Sequence, residues 1–532
     1  MTDFFDAIVV GSGPSGVQAA SRLVEGGRRV ALVDIGEVDN RYSALVPDAP
    51  FSEIRRTDPN QRLYFLGHDG EGIPSGKVRT GAQLTPPRQY VTAGSDRWFR
   101  HRSNSFYLME SPARGGLGVA WGAGCFTYDP EELRRIGLDA AALQPHYETV
   151  AGRIGISAPW RDESRRRTCS IRSLLPPLEI DSNAATILAA YVRGAARFES
   201  AGLFLEQTPL AVLSEDCLGR RANSYFDMDY WSDARRSVYR PAYTLDVLSG
   251  CANFSYISRT LVERFEEAEG RVRVQARDVD TGERRLLGCN KLLLAAGTTG
   301  SARLALRSLG HYDRSVPLLC NPYSYVACVN LRMLGRPARD RRHSLAQLSL
   351  LFDDHSAERE WVSAQIFSYR SLLLFRLVQQ MPLPVWAGVQ MSRVLLTSLT
   401  ILGVHHADRT SPLRWAALRK DDGGDVLEIE YSRTADERTL DRRREKKLLS
   451  LVRRLGCVPL LRVGMEAGSS IHYAGTLPMT TEDRALTTTP DGRLRETDHV
   501  FVVDGAVLGT LPAKGLTFTI MANADRVASM LL

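Results

Sequence analysis

Lysine is scarce in this chain. Only six of the 68 basic residues are Lys (77, 291, 420, 446, 447 and 514), and the rest are Arg. The net charge of +7 therefore reflects arginine usage. The basic clusters at 165–167, 336–342 and 442–447 are interleaved with or flanked by acids. Such clusters read as solvated faces, and no nucleic-acid partner is expected. The eight Cys are scattered without a C-x-x-C pair. That spacing argues against a zinc site or a disulfide framework, so no metal is expected and the thiols read as reduced and cytoplasmic. No secretory leader is expected, because the first apolar run reads as a nucleotide strand. Long apolar runs are also missing. The most apolar stretch, 385–404, is interrupted by Arg393 and several polar residues, so no membrane span is expected. It reads as a helix leading into a buried strand. The alternative for 370–404 is a lid touching a membrane surface or a lipidic ligand. Internal repeats and low-complexity tracts are absent as well.

What the chain does have begins at its start. Ala7-Ile8-Val9-Val10 is a short β-branched run, as in a buried parallel strand. Gly11-Ser12-Gly13-Pro14-Ser15-Gly16 follows, then a helix start over 17–23, then Val30-Ala31-Leu32-Val33 ending in Asp34. Strand, GxGxxG, helix, strand and acid make up a dinucleotide-binding unit. Gly11 permits the tight turn, Gly13 lets backbone approach a pyrophosphate, and Gly16 lets helix and strand pack closely. Pro14 and Ser15 open the helix whose amides and dipole favour phosphate. Asp34 is expected to accept from the adenosine ribose. The motif alone does not separate NAD from FAD. Its position at residue 11 favours FAD.

At 532 residues two domains are expected. Residues 39–110 lack periodicity and read as long loops around a cofactor. Arg114 to Gly124 carries five glycines, so its backbone is expected to lie against something flat or bulky. Segment 130–156 has helical spacing. Segment 253–295 reads as strand, turn, strand, ending in the small-residue turn Ala296-Gly297-Thr298-Thr299-Gly300-Ser301. Short runs at 345–352, 361–367, 399–405, 413–418 and 426–431 predict a mostly antiparallel sheet, and 436–456 a charged amphipathic helix.

In this order the motifs resemble those of the glucose–methanol–choline (GMC) oxidoreductases. They comprise the N-terminal GxGxxG, the glycine-rich loop, Ala295-Ala296-Gly297-Thr298-Thr299-Gly300-Ser301 near the middle, His472-x-x-Gly475-Thr476, and Asp504-Gly505 followed by Thr517-x-Thr519-Ile520-Met521. Gly115-Gly116-Leu117 with Trp121-Gly122, and the run from Ile136 to Ile156, are similar to the pyranose oxidase and gluconate dehydrogenase branch. The resemblance implies a mixed α/β fold with a Rossmann-like FAD-binding domain and a second, mainly antiparallel-sheet substrate domain. The FAD-binding parts are expected at 1–160, 250–320 and 460–532, and the substrate domain at 161–249 and 321–459. It further implies that Gly115, Gly116, Leu117, Trp121, Gly122, Val262, Ala296, Gly297, Asp504, Gly505, Thr517 and Phe518 meet the cofactor. Covalent members of the branch attach flavin through a His just before the Trp of the glycine loop. Ala120 stands there, so non-covalent FAD is expected.

Oxidising an alcohol removes a hydride from carbon and a proton from oxygen. A His suits the proton because its pKa lies near neutrality. His472 occupies the family's His position and is the expected base. The family's second polar side chain, His or Asn, aligns on Gly515, which has none, or with a one-residue gap on Lys514. Lys514 then either takes part in proton transfer or stabilises reduced flavin by charge alone. His405-His406 is a tempting pair, but neighbours on a strand point to opposite faces. The expected function is FAD-dependent oxidation of a sugar, polyol or glycosylated metabolite, with oxygen or another electron acceptor. The alternatives are a bulky sterol-like alcohol, a non-redox lyase on the same fold, or a flavin-binding assembly component.

Overall fold

The computed structural model describes residues 3–72, 84–160, 167–336, 340–356, 360–368, 371–372 and 384–532. Lys77, Arg165, Arg166 and most of 370–383 lie outside the described residues.

The first sheet grows from the apolar runs named above. Strand Asp3–Val10 pairs in parallel with Val30–Val33 on one side and with Arg284–Leu294 on the other. Phe254–Ile257 extends it beyond Val30–Val33. Val500–Val502 adds in parallel along the end of Arg284–Leu294. Antiparallel strands Arg271–Asp278 and Thr260–Ala268 complete the far edge. Ile8, Val9, Leu32 and Leu292 are fully buried. Each such side chain contributes about 1.5–3 kcal/mol by leaving water. Helices Pro14–Glu25 and Thr517–Ser529 share one apolar cluster with this sheet through Val17, Leu23, Ala524 and Val527. The two ends of the chain are thereby packed against each other.

The second sheet is antiparallel throughout. Its order is Cys457–Gly464, Tyr323–Asn330, Leu399–His405, Trp361–Phe367, Leu348–Asp353 and Leu203–Gln207. Strand alternation gives it two different faces. Val326, Leu350, Ala364, Ile366, Leu402 and Val404 pack beneath helices Ser182–Arg193, Ala195–Ser200 and Ala435–Arg454. The intervening residues Tyr323, Tyr325, Gln365, Phe367 and His405 face the interior cavity. The long helix begins with a capping box, Thr434 and Glu437 bonding each other's backbone amides.

Several expectations need correction. Residues 39–110 are not all loop: they include helices Phe51–Thr57 and Gln61–Leu66. Segment 130–156 is two helices, Pro130–Arg135 and Ala140–Ile154, with Gly137 at φ +79° between them. Strands Arg414–Arg419 and Val426–Tyr431 belong to a small separate sheet with Ser315–Pro317 and His101–Arg102. Helix Pro241–Leu248 lies in a stretch assigned to the substrate domain, yet Leu245 and Leu248 pack in the cluster of the first sheet. Alternating patterns show that a strand exists and leave its partner open. The stretch 385–404 is a helix, Val385–Leu395, leading into the strand Leu399–His405. No helix among the described residues is long and apolar enough to cross a membrane.

Candidate active site

A cavity of about 800 Å³ runs between the two sheets. Its first end is built by the glycine turn. Gly11 has φ +100°, and a Cβ there would stand 2.5 Å from the Ala295 carbonyl oxygen. The Ser12 hydroxyl accepts from the Gly115 amide at 2.8 Å, which ties the two glycine loops together. A Cβ on Gly116 would come within 3.3 Å of Gly13 Cα, whereas one on Gly13 would meet no protein atom within 4 Å. Gly13 therefore faces open cavity. Gly13 is the N-cap of helix Pro14–Glu25 and no side chain caps it, so the first amides are left for an anion. The Ser15 hydroxyl lines the same space, buried and, among the described residues, without a hydrogen-bond partner. Asp34 sits beyond, receiving the Ser12 amide at 3.2 Å and the Tyr256 hydroxyl at 2.7 Å. Burial pushes its carboxyl above the usual range despite those bonds.

Ala296, Gly297, Val262, Leu117, Trp121, Gly122, Asp504, Gly505 and Thr517 line the cavity as well. Trp121 is held by its indole N–H on the Tyr239 carbonyl at 2.8 Å. Asp504 accepts from Ser301 at 2.5 Å and from the Ala506 amide at 2.9 Å, and burial raises its pKa to about 6. Helix Thr517–Ser529 also starts without a side-chain cap, with Thr517 at the cavity wall.

The other end holds His472. Cys320 and Tyr473 are ladder partners, which sets Asn321 beside His472. Asn321 donates its side-chain amide to the His406 carbonyl at 2.7 Å and the Pro512 carbonyl at 3.0 Å. Its oxygen is thus the atom facing His472 Nδ1, 2.9 Å away. Nδ1 must carry the hydrogen, and Nε2 keeps its lone pair. Burial lowers the His472 pKa to about 4, so the ring is neutral near pH 7. Its flat face stacks on His405, with centroids 5.0 Å apart, and His405 stacks on Tyr323 at 4.3 Å. Burial first, then the neighbouring His472 and His406, hold His405 well below the usual His range. Ile471, at φ +59°, spends about 1–2 kcal/mol on a left-handed conformation just before His472.

Four predicted site residues do not face the cavity as expected. The Lys514 ammonium turns to Glu132, 2.8 Å, with Asp129 at 3.6 Å, and is buried under Trp361. The carboxylates of helix Pro130–Arg135 outcompete the cavity for it. Phe518 packs on Tyr147 with ring centroids 5.0 Å apart. Gly16 is pressed on Gly11 and Gly115 on Val119, so both shape loops without lining the cavity. Gly515 does line it. His405 and His406 do point apart, the latter towards Asp441 and Glu445. Sequence reasoning missed Asn321, Tyr323, Tyr325, Gln365 and Tyr256, and gave His405 no role. The alternation of strands 323–330, 361–367 and 399–405 was the only signal for Tyr323, Tyr325, Gln365 and His405. Replacing Lys514 by Met is expected to destabilise the protein by about 3–5 kcal/mol, because Glu132 is left buried and unpaired. Chemical denaturation checks this, with Lys514→Met/Glu132→Gln expected to recover part of the loss.

Residues 460–524, which carry His472, Asp504 and the start of the last helix, match the family model described as GMC oxidoreductase. This chain therefore carries a GMC oxidoreductase C-terminal domain over those residues. It is similar to 6'''-hydroxyparomomycin C oxidase of Streptomyces lividus, at 25% identity over 98% of this chain and 90% of that protein. The fold is that of pyridoxine 4-oxidase from Mesorbium loti, with a TM-score of 0.58 and 17% identity over 99% and 98% of the two chains. The chain's matches support an FAD-dependent oxidoreductase acting on CH–OH donors. Its own residues fit that cofactor: the orphaned Ser15 hydroxyl, the open face of Gly13 and the uncapped helix amides suit a diphosphate.

Proposed function

We propose that this chain oxidises an alcohol of a sugar, polyol or glycosylated metabolite, with His472 Nε2 accepting the hydroxyl proton. Bound FAD would supply the two-electron acceptor. The observation that carries the reading is the Asn321 bond, which orients His472 with Nδ1–H donating, so that the ring, kept neutral by burial, holds its lone pair on Nε2. A base held in that form needs no prior deprotonation, and such a base contributes roughly 10²–10⁴-fold. The cavity pairs the amide of Gln365 with aromatic faces of Tyr325 and Phe367, a surface suited to a hydroxylated ring. The relative named for hydroxyparomomycin supports the same class. Ala120, also at the cavity wall, offers no atom for a flavin bond, which supports non-covalent FAD. The cofactor site in this reading is Gly11 to Ser15, Asp34, Gly116, Leu117, Trp121, Gly122, Val262, Ala296, Gly297, Asp504, Gly505 and Thr517, with Gly16 and Gly115 shaping its two loops. The positive end of the last helix faces the cavity, where it would stabilise negative charge on a reduced flavin. A second reading, a lipidic alcohol, is favoured by the exposed Trp386 and Met391 on helix Val385–Leu395.

Anaerobic mixing of the holoenzyme with 6'''-hydroxyparomomycin C, pyridoxine, D-glucose and cholesterol tests both. Bleaching of the flavin by a hydroxylated ring is expected. Bleaching by cholesterol alone would replace the first reading with the second. Product formed with flavin still oxidised would make the enzyme a lyase. Acid precipitation is expected to leave the flavin in the supernatant, and admitting air afterwards shows whether oxygen accepts the electrons.

A further inference from the structure

Gly515 leaves His472 without the family's second polar side chain, and the packing around it shows why. A Cβ on Gly515 would stand 3.3 Å from the Phe126 ring, and Phe126 is fully buried. The same ring lies 2.9 Å from a Cβ built on Gly124. The amide nitrogen of Gln365 lies 3.5 Å from that point. Gly515, Phe126, Gly124 and Gln365 are thus neighbours on one stretch of cavity wall. Gln365 arrives there from the opposite sheet.

The register explains its reach. Gln365 is paired with Gly403 on one side and with Ser349 on the other, so no large side chain stands directly across from it. Two residues earlier, Ser363 is paired with His405, the ring that stacks on His472. Two residues of strand span about 7 Å. Gln365 and the His405–His472 stack are therefore one side-chain repeat apart on the same face. Among the described residues the Gln365 amide has no hydrogen-bond partner, although it is half-buried. It is a donor and an acceptor facing the space where the substrate is placed above.

We propose that the Gln365 amide supplies the second hydrogen bond to the substrate's reacting oxygen, replacing the side chain that Gly515 lacks. The proposal rests on the alcohol-oxidation reading. In that reaction the hydroxyl proton passes to His472 Nε2, the carbon loses its hydrogen with the bonding pair to the two-electron acceptor, and the C–O bond becomes a carbonyl. The Gln365 N–H meets the negative charge that builds on the oxygen between these events. Removing a donor of this kind costs on the order of 10²-fold.

The test uses holoenzyme carrying Gln365→Leu and, in case that variant folds poorly, Gln365→Met. The probe is whichever of the four alcohols above bleaches the parent's flavin fastest. Flavin reduction is expected to slow by about 10²-fold, with flavin content and melting temperature unchanged. Calorimetry supplies an independent readout on the oxidised enzyme. The parent is expected to bind the carbonyl product more tightly than the deoxy analogue, and the variants to bind both alike. Parent-like reduction, or parent-like discrimination, in both variants overturns the proposal. If His472→Ala is slow while both Gln365 variants are fast, only the Gln365 assignment falls. If His472→Ala is as fast as the parent, or no alcohol bleaches the flavin, the alcohol-oxidation reading falls and this proposal with it.

Discussion

His472→Ala slows anaerobic flavin reduction by an expected 10²–10⁴-fold, roughly the worth of a positioned general base. Binding of the substrate is expected to change much less, because the ring's main task is to take a proton as the hydride leaves. The pH dependence separates a base from a filler of space. His472 works only when neutral, and its pKa is lowered to about 4 from the ordinary 6.5. The acid limb of kcat/KM is therefore expected near pH 4, not near 6.5. Asn321→Ala removes the acceptor that fixes the tautomer and lets the ring turn over, so kcat is expected to fall. A parent-like rate in His472→Ala across pH 4–8 would remove His472 from the mechanism. Stability is a poorer readout of the same group. Neutral His472 favours the fold above pH 6.5, and that contribution is lost as pH falls from about 6.5 to about 4. Asp504, raised to about 6, has the opposite sign and favours the fold at the acid side of its own transition. The two partly offset each other between pH 4 and 6, so rates and not melting curves carry the test.

The second large effect is expected at the glycine turn, where two glycines act for different reasons. A Cβ on Gly16 would lie 1.9 Å from the Gly11 carbonyl oxygen and 3.2 Å from Ala295 Cβ. Neither backbone has room to move, since Gly11 is itself pressed on Ala295. Gly16→Ala is therefore expected to lower the melting temperature and to purify without flavin. Overpacking of this kind costs about 1–3 kcal/mol where the core can relax, and this turn cannot. A Cβ on Gly13 meets no protein atom within 4 Å. Gly13→Ala is expected to keep the apoprotein's stability while weakening FAD on the order of 100-fold, about 3 kcal/mol. Melting curves of the apoproteins and the ratio of flavin to protein absorbance distinguish the two. Equal loss of stability in both variants would mean that Gly13 is a packing glycine as well.

These two sites were legible in the chain for different reasons. The turn was readable because its geometry is local: six residues between a buried strand and a helix dictate where glycine is needed. His472 was readable because a short motif carries it. Lys514 was not. Its spacing from Thr517 says nothing about Glu132, some 380 positions earlier, which takes its charge. Strands 414–419 and 426–431 were recognisable as strands, but alternation does not name a partner, and they pair outside the large antiparallel sheet.

By itself, then, the sequence determined the dinucleotide unit, the sheet types and the histidine, since each rests on neighbours within a turn or on a period of two or 3.6. Only the tertiary structure decided the tautomer of His472, the direction of Lys514 and the arrival of Gln365 beside Gly515. Those depend on contacts between residues some 150 to 390 positions apart, whose meeting is set by sheet register and by competition among buried charges.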